Sequence, residues 1–292
     1  MVANPQGIEI EVLASPAMEG GVTKTPPVVL TIAGSDCSAG AGIQADLKTF
    51  QHFRAHGLTA ITCVVSETAD IVRKVHPVPF EVVADQVSLM MESFSVAAVK
   101  TGMLFSADIV REVAAVLERF PQIPLVVDPV MIASTGASLL EPDAILAYRE
   151  LLLPRASLIT PNLPEAEALL GAEISNESAL EQAARDLAAS FGTSVLLKGG
   201  HLQGSDCTDL LIHENTTYRF STPRLKVAAS HGTGCTLSAA IAARLGLGDS
   251  MPEAVSAAKS YLTATLASGY GLTSRSGTIH ALNQGTLEFP PL

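Results

Sequence analysis

Short apolar runs and helix-period segments alternate along most of the chain. The runs are VVLTIA (28–33), AITCVV (60–65), VAAVK (96–100), LVVD (125–128), LIT (158–160) and VLLK (195–198). Between them, apolar residues recur every three or four positions, as in Ile43, Leu47, Phe50 and Phe53, then Phe80, Val83, Val87, Met90 and Phe94, then Ile109, Val113, Val116 and Leu117. Strand and helix in alternation, without hairpin turns, predict right-handed crossovers and a mostly parallel, doubly wound α/β sheet. One stretch breaks the rhythm. In DLLIHENTTYRF (209–220) two runs flank Glu214, Asn215 and Thr216, which predicts an antiparallel hairpin at one sheet edge. The last third is predicted helical, in TLSAAIAARLGLG and PEAVSAAKSYLTATLASG. Residues 1–26 carry Pro5, Pro16, Gly20, Gly21 and Pro26 and no sustained period. They read as a poorly ordered N-terminal extension ahead of a single domain spanning 27–292.

Composition agrees with this class. Of 292 residues, 48% are apolar and 16% charged, with a mean hydropathy of +0.35, enough for a large core. Aromatic residues make up 4% and Trp is absent, and a core of small and β-branched aliphatics suits a parallel sheet covered by helices. Eighteen Lys and Arg against 29 Asp and Glu give a net charge of −11. That field repels phosphate backbones, so nucleic acid is not an expected partner. No apolar run approaches the roughly 18 to 20 residues of a membrane span. The first residues lack a basic start followed by an apolar core, and a cytoplasmic protein with no membrane partner is expected. Cys37, Cys63, Cys207 and Cys235 lie far apart with no CxxC pair, which points to reduced thiols. His52 and His56, four residues apart, are read as one solvated helix face rather than a metal pair.

Ligands of open α/β sheets bind beyond the carboxyl ends of the strands, so the residues after each run are the ones to inspect. They are Gly34 to Asp46, then Ser66 and Glu67, Thr101 to Met103, Asp128, Thr160 to Asn162, and Lys198 to Gly200. The sharpest local signal is HGTGCTLSAA (231–240). Gly232 and Gly234 permit tight backbone geometry, and the helix that follows turns its positive end to the loop, forming an anion cradle suited to phosphate. No Lys-Ser or Lys-Thr follows these glycines, so it is not a Walker loop. A plain glycine-rich helix start fits the same letters. Cys235 sits in the first turn, where a helix N-terminus lowers a thiol toward partial ionisation near neutrality and would let it take a proton from an alcohol; a small packing residue is the alternative. Gly40-Ala41-Gly42 lacks the third glycine of a dinucleotide fingerprint. Asn162 and Glu165, three apart after a strand, suit a hydrated magnesium ion, and equally suit a helix N-cap with its partnering Glu.

Taken together, GSDCSAGAGIQADLKTF, KTGML, VVDPVM, LLLPRASLITPNLPEAEALLG, LLKGGHL and HGTGCTLSAA resemble the hydroxymethylpyrimidine/phosphomethylpyrimidine kinases of thiamin biosynthesis, within the ribokinase-like superfamily. The resemblance runs in order from about Val28 to Leu266. It implies a three-layer α/β/α fold, a homodimer, and transfer of phosphate from ATP, with magnesium, to 4-amino-5-hydroxymethyl-2-methylpyrimidine and then to its monophosphate. It also implies that Gly232, Thr233, Gly234 and Cys235 form the anion hole, with Cys235 as base where most of the superfamily has Asp. Asn162 and Glu165 would order magnesium and the ATP phosphates, Asp128 would act on the metal through water or on the phosphates, and Lys198 and Thr236 would serve ATP. Gly34, Asp46, Met103 and Val130 would surround the pyrimidine.

One position departs from the pattern. Where the family carries a Gln-Asn-Thr run whose Gln pairs with the pyrimidine edge, this chain has Glu67, Thr68 and Ala69. A carboxylate accepts from the exocyclic amine but donates to a ring nitrogen only if one partner is protonated. Substrate identity therefore turns on Glu67. Two rivals follow: a pyridoxal kinase of the same fold, which can carry a second cysteine in the lid that MIASTGASLL (131–140) lacks, and a silent nucleotide or vitamin-precursor binder. The intact Asn162, Glu165, Asp128 and GTGC argue against the silent binder.

Overall fold

The computed structural model describes residues 25–131, 142–174, 177–201, 204–225, 231–275 and 277–285. Nearly all of the predicted N-terminal extension and of the 131–140 stretch lies outside them. The first strand, β1 (Val28–Asp36), leads into α1 (Gly42–His52), β2 (His56–Glu67) and β3 (Val72–Pro77). Then come α2 (Phe80–Ser93), β4 (Val96–Thr101), α3 (Ala107–Leu117), β5 (Leu125–Val127) and α4 (Pro142–Ala147), which passes into a π-helical turn at Tyr148–Leu152. Next are β6 (Leu158–Ile159), α5 (Leu163–Leu170), α6 (Glu177–Phe191), β7 (Ser194–Leu197), β8 (Asp206–His213) and β9 (Thr216–Pro223). Helices α7 (Thr233–Gly246) and α8 (Met251–Ala267) precede a small hairpin, β10 (Tyr270–Ser274) with β11 (Gly277–Ala281).

Nine strands form one sheet in the order β3-β2-β1-β4-β5-β6-β7-β8-β9. From β2 to β7 all neighbours are parallel, while β3, β8 and β9 add antiparallel edges. Side-chain alternation sorts the strands' two faces into two cores. Val29, Ala98, Val126, Leu158 and Leu196 pack with Phe50, Leu237, Ile241 and Val255 of α1, α7 and α8. Leu30, Ile32, Val99, Val127 and Ile159 pack on the other side with Val83, Val113, Leu169 and Leu187 of α2, α3, α5 and α6. The result is the expected three-layer α/β/α architecture.

The β8–β9 hairpin lies at the sheet edge, turning on Glu214 and Asn215, both at positive φ (48° and 62°), the conformation of a two-residue hairpin turn. Two further pieces of β structure fall outside the sequence reading. β3 is an edge strand of largely exposed residues, and β10–β11 corrects the expectation of a wholly helical last third. The His52/His56 pairing is also corrected. α1 ends at His52, whose ring packs on Tyr261 at 4.4 Å, while His56 begins β2.

Candidate active site

β1 lies between β2 and β4: the chain leaves it through α1 to β2 on one side and returns through α2 to β4 on the other, which opens a crevice at the carboxyl end of β1. A cavity of about 530 Å³ occupies that crevice. Its wall includes Gly34, Glu67, Met103 and Val130 on one side and Asp128, Asn162, Glu165 and Lys198 on the other. Gly232, Thr233, Gly234 and Cys235 complete it. Twelve of the predicted site residues thus converge on one space.

Two do not. Asp46, on α1, is wholly buried behind the wall, where Lys100 Nζ reaches both of its oxygens (3.0 and 2.8 Å) and Thr31 Oγ1 donates at 2.6 Å. The residue that faces the cavity is Lys100. Thr236 is likewise turned inward. Its hydroxyl donates to Gly232 O (2.8 Å) and accepts from Gln284 Nε2 (2.9 Å), because a threonine in the first helical turn finds the carbonyl four residues back.

The loop after β1 is folded around Asp36. One carboxylate oxygen accepts the Ser38 amide and hydroxyl (2.7 and 2.8 Å), and the other accepts the amides of Gly40 and Ala41 (3.0 and 2.8 Å) and lies 3.0 Å from His231 Nε2. Burial opposes its charge, but these partners win and hold the carboxyl at about 2. The hydrogen bond to Asp36 pushes His231 upward against burial. The two loops that frame the cavity are therefore tied by an ion pair spanning 195 positions of sequence, which no local motif reveals.

Gly232 starts the cradle with φ at +81°, and a Cβ there would sit 2.0 Å from Gly40 O, so only glycine fits. The ladder of helical hydrogen bonds begins at Thr236, whose amide donates to Gly232 O (2.9 Å), so the amides before it can turn to the cavity. Cys235 receives the Gly42 amide. Its thiol is not ionised by the helix start as the sequence suggested. Burial pushes it up to about 11, and Asp46 and Asp128 add to this while Lys100 and the Gly42 amide pull the other way.

Asn162 caps α5. Its side chain accepts the Glu165 amide (2.9 Å), while Glu165 Oε2 accepts the Asn162 amide (2.8 Å), a reciprocal capping box. The same two residues face Lys198, whose Nζ lies 2.9 Å from Asp128 Oδ1 and 3.9 Å from Glu165 Oε2. Burial opposes ionisation of both carboxyls. Lys198 and Lys100, with hydrogen bonds from Lys198 and Thr160, keep Asp128 below the usual range. Burial together with the charge of Asp128 lifts Glu165 to about 7 despite Lys198 and the amides of Asn162 and Met131. Among the described residues no group of three His, Cys, Asp or Glu side chains could cage a metal. The donors present are two buried carboxyls and one amide, the sparse oxygen set of a magnesium ion that keeps most of its water.

Lys198, Asn162, Thr233 and Gly234 also border a second cavity of about 290 Å³. It runs between β8, β9, α7 and α8, with Leu237, Leu262 and Leu266 as apolar walls. At its floor Lys259 Nζ binds Asp209 Oδ2 (2.7 Å), and Asp209 Oδ1 accepts the Gly199 amide (2.9 Å). Neither Lys259 nor Asp209 was singled out from the sequence, where a lone Lys on a helix and a lone Asp in a strand look like ordinary surface charges.

Two adjoining cavities around an anion cradle, on a ribokinase-like α/β/α frame, define a small-molecule kinase. The family model described as "Phosphomethylpyrimidine kinase" matches residues 36–280. The chain belongs to that family. It is 45% identical over 238 residues to the thiamine biosynthesis bifunctional protein ThiED of Geobacter sulfurreducens, covering 82% of this chain and 49% of that longer protein. It is 43% identical over 242 residues to the hydroxymethylpyrimidine/phosphomethylpyrimidine kinase of Haemophilus influenzae, covering 82% and 90%. Among solved structures, Bacillus subtilis pyridoxal kinase in an ADP complex matches with a TM-score of 0.80 at 34% identity, over 89% of this chain and 98% of that one. The phosphomethylpyrimidine kinase of Clostridium difficile matches with a TM-score of 0.72 at 38% identity, over 81% and 98%.

Proposed function

We propose that the protein transfers the terminal phosphate of ATP to the 5-hydroxymethyl group of 4-amino-5-hydroxymethyl-2-methylpyrimidine, and then phosphorylates the resulting monophosphate. The observation that carries this reading is the meeting of the two cavities at Lys198, Thr233 and Gly234, which lets a nucleotide in the apolar cleft present its terminal phosphate to an alcohol in the polar one. Phosphoryl transfer depends on positioning and charge neutralisation more than on covalent chemistry by the protein. The amides at the start of α7 meet the charge that spreads over the transferred group, and Lys198 draws the phosphates toward it. Asp128, Asn162 and Glu165 fit a magnesium ion, which when bound shields the ATP phosphates.

Cys235 is the group placed to take the alcohol proton, late in the transfer. To do so it must first lose its own, and Lys100 and the Gly42 amide are the partners that favour the thiolate. On the ring side, burial and Asp36 raise the Glu67 carboxyl above an ordinary glutamate, against the pull of His231. A protonated Glu67 regains the donor that a glutamine would supply to a ring nitrogen.

The second reading, a pyridoxal kinase, is favoured by the likeness to Staphylococcus aureus pyridoxal kinase in its complex with AMP-PCP and pyridoxal, at a TM-score of 0.80 and 35% identity over 89% of this chain and 94% of that one. Residues 27–292 are taken as one catalytic domain, supported by the continuous sheet. The family resemblance adds a homodimer in the cytoplasm; among the described residues no helix is long and apolar enough to cross a membrane. A coupled ADP-release assay with hydroxymethylpyrimidine, its monophosphate and pyridoxal, on wild type and Glu67→Gln, decides between the readings. ADP release with both pyrimidines supports the first, release with pyridoxal alone the second, and release with none returns the protein to a silent binder.

A further inference from the structure

Asp128 and Glu165 approach the same point from different elements, one after β5 and the other in the first turn of α5, and both side chains are almost wholly buried. Two buried carboxyls so placed demand a counter-charge. Lys198 supplies it, at 2.9 and 3.9 Å, with its own side chain largely buried as well. Thr160 Oγ1 (3.0 Å) and Ser238 Oγ (3.3 Å) hold Asp128 from other directions, so the carboxylate is fixed in place rather than drawn toward the lysine.

The backbone of Lys198 is equally fixed. Its amide donates to Pro161 O (2.9 Å), it bridges to Asn162, and the next amide, Gly199, is held by Asp209. Only the side chain has freedom, and it borders both cavities. α7 leaves room for it through Gly234, where a Cβ would come within 3.3 Å of Lys198 Nζ and 3.5 Å of Asp128 Oδ2. A magnesium ion needs near-octahedral oxygen ligands at about 2.0–2.1 Å, and an ammonium lodged between the two carboxyls denies it that place.

We propose that Lys198 is a resident counter-ion that occupies the divalent-cation position in the nucleotide-free protein, so that the cation enters only together with a nucleotide whose phosphates draw the lysine toward the second cavity. The proposal rests on the reading of this site as a magnesium–nucleotide site. It makes Lys198 a gate on metal entry as well as a phosphate ligand, and it predicts that free magnesium alone does not load the enzyme.

The test uses the full chain and Mn²⁺, with unbound Mn²⁺ followed by electron paramagnetic resonance, with and without AMP-PCP. Wild type should take up Mn²⁺ at least tenfold more tightly when AMP-PCP is present than when it is absent, after the Mn²⁺ that AMP-PCP holds in protein-free solution is subtracted. Lys198→Met should bind Mn²⁺ without nucleotide at least tenfold more tightly than wild type does, and Asp128→Asn added to that variant should abolish the gain. Lys198→Gln provides a second neutral side chain should the methionine variant fold poorly, with circular dichroism as the control for folding. Equal nucleotide-free Mn²⁺ affinity in wild type and a folded neutral variant overturns the counter-ion role while leaving the kinase reading intact. Failure of wild type to bind Mn²⁺ even with AMP-PCP removes the kinase reading and this proposal together.

Discussion

On the β1–β5 side of Lys198 the cavity wall is made of charges already matched to one another, Asp36 with His231, Lys100 with Asp46, Asp128 with Lys198. On the β8–α8 side Leu225, Leu237, Leu262 and Leu266 share the wall with Arg224, Thr222 and Thr263, and Lys259 pairs with Asp209. A small polar ring needs fixed donors and acceptors to be told from its analogues, since an unmade hydrogen bond in a buried site costs more than a made one gains. A flat base can be held by apolar area alone. On the proposed function the first cavity selects the substrate and the second retains the nucleotide, and substitutions in the two should fail differently.

The largest difference is expected at the Lys100–Asp46 pair, where both side chains are wholly buried. Lys100→Met leaves Asp46 without its partner, and breaking such a pair costs about 3–5 kcal/mol. Thermal unfolding should fall by roughly 10 °C; a loss under a few degrees would mean that the polar wall is not held by its ion pairs. Next comes Cys235→Ala, expected to lower kcat at least roughly tenfold, the scale of general-base effects, with the circular dichroism melt and the KM for ATP unchanged. Full kcat in that variant removes the base. In the second cavity, Lys259→Met should raise the KM for ATP about five- to thirtyfold, for a loss of about 1–2 kcal/mol, while the KM for the pyrimidine stays put. A matching rise in both KM values would show that the cavities are not separate.

The smallest effect is the acid dependence of stability. Asp36 is held at about 2 against an ordinary value of 3.8. The folded form thus binds fewer protons than the unfolded, and the stability it contributes is complete above the ordinary value and disappears as pH falls toward 2. Asp36→Asn should flatten the melting temperature between pH 4 and pH 2 relative to wild type. An unchanged slope would place the acid sensitivity elsewhere.

The parallel strands were legible because each is buried on both faces and so appears as an unbroken apolar run. β3 was not, because an edge strand carrying Arg73, Lys74 and His76 has no such run, and β10–β11 belongs to a separate two-stranded sheet. Twelve of the expected residues line one cavity because each lies at or just after a strand's end or at a helix start, positions that topology carries to one rim. The failures have a common cause in burial. The Cys235 thiolate was argued from the helix end alone, without the desolvation and the Asp46 and Asp128 charges that oppose it. Asp46 and Thr236 were placed on the ligand, whereas Lys100 and Gln284, 54 and 48 positions away, claim their polar atoms.

Gln284 joins three segments that lie far apart in sequence. Its side chain donates to Gly40 O (3.0 Å) and to Thr236 Oγ1, while its own carbonyl accepts from Tyr261 (2.6 Å). One late residue thus clasps the loop after the first strand to the start of the anion cradle. Replacing Gln284 would leave every residue lining the two cavities in place and still undo the clasp, so the shape of the anion cradle depends on a side chain that lines neither cavity.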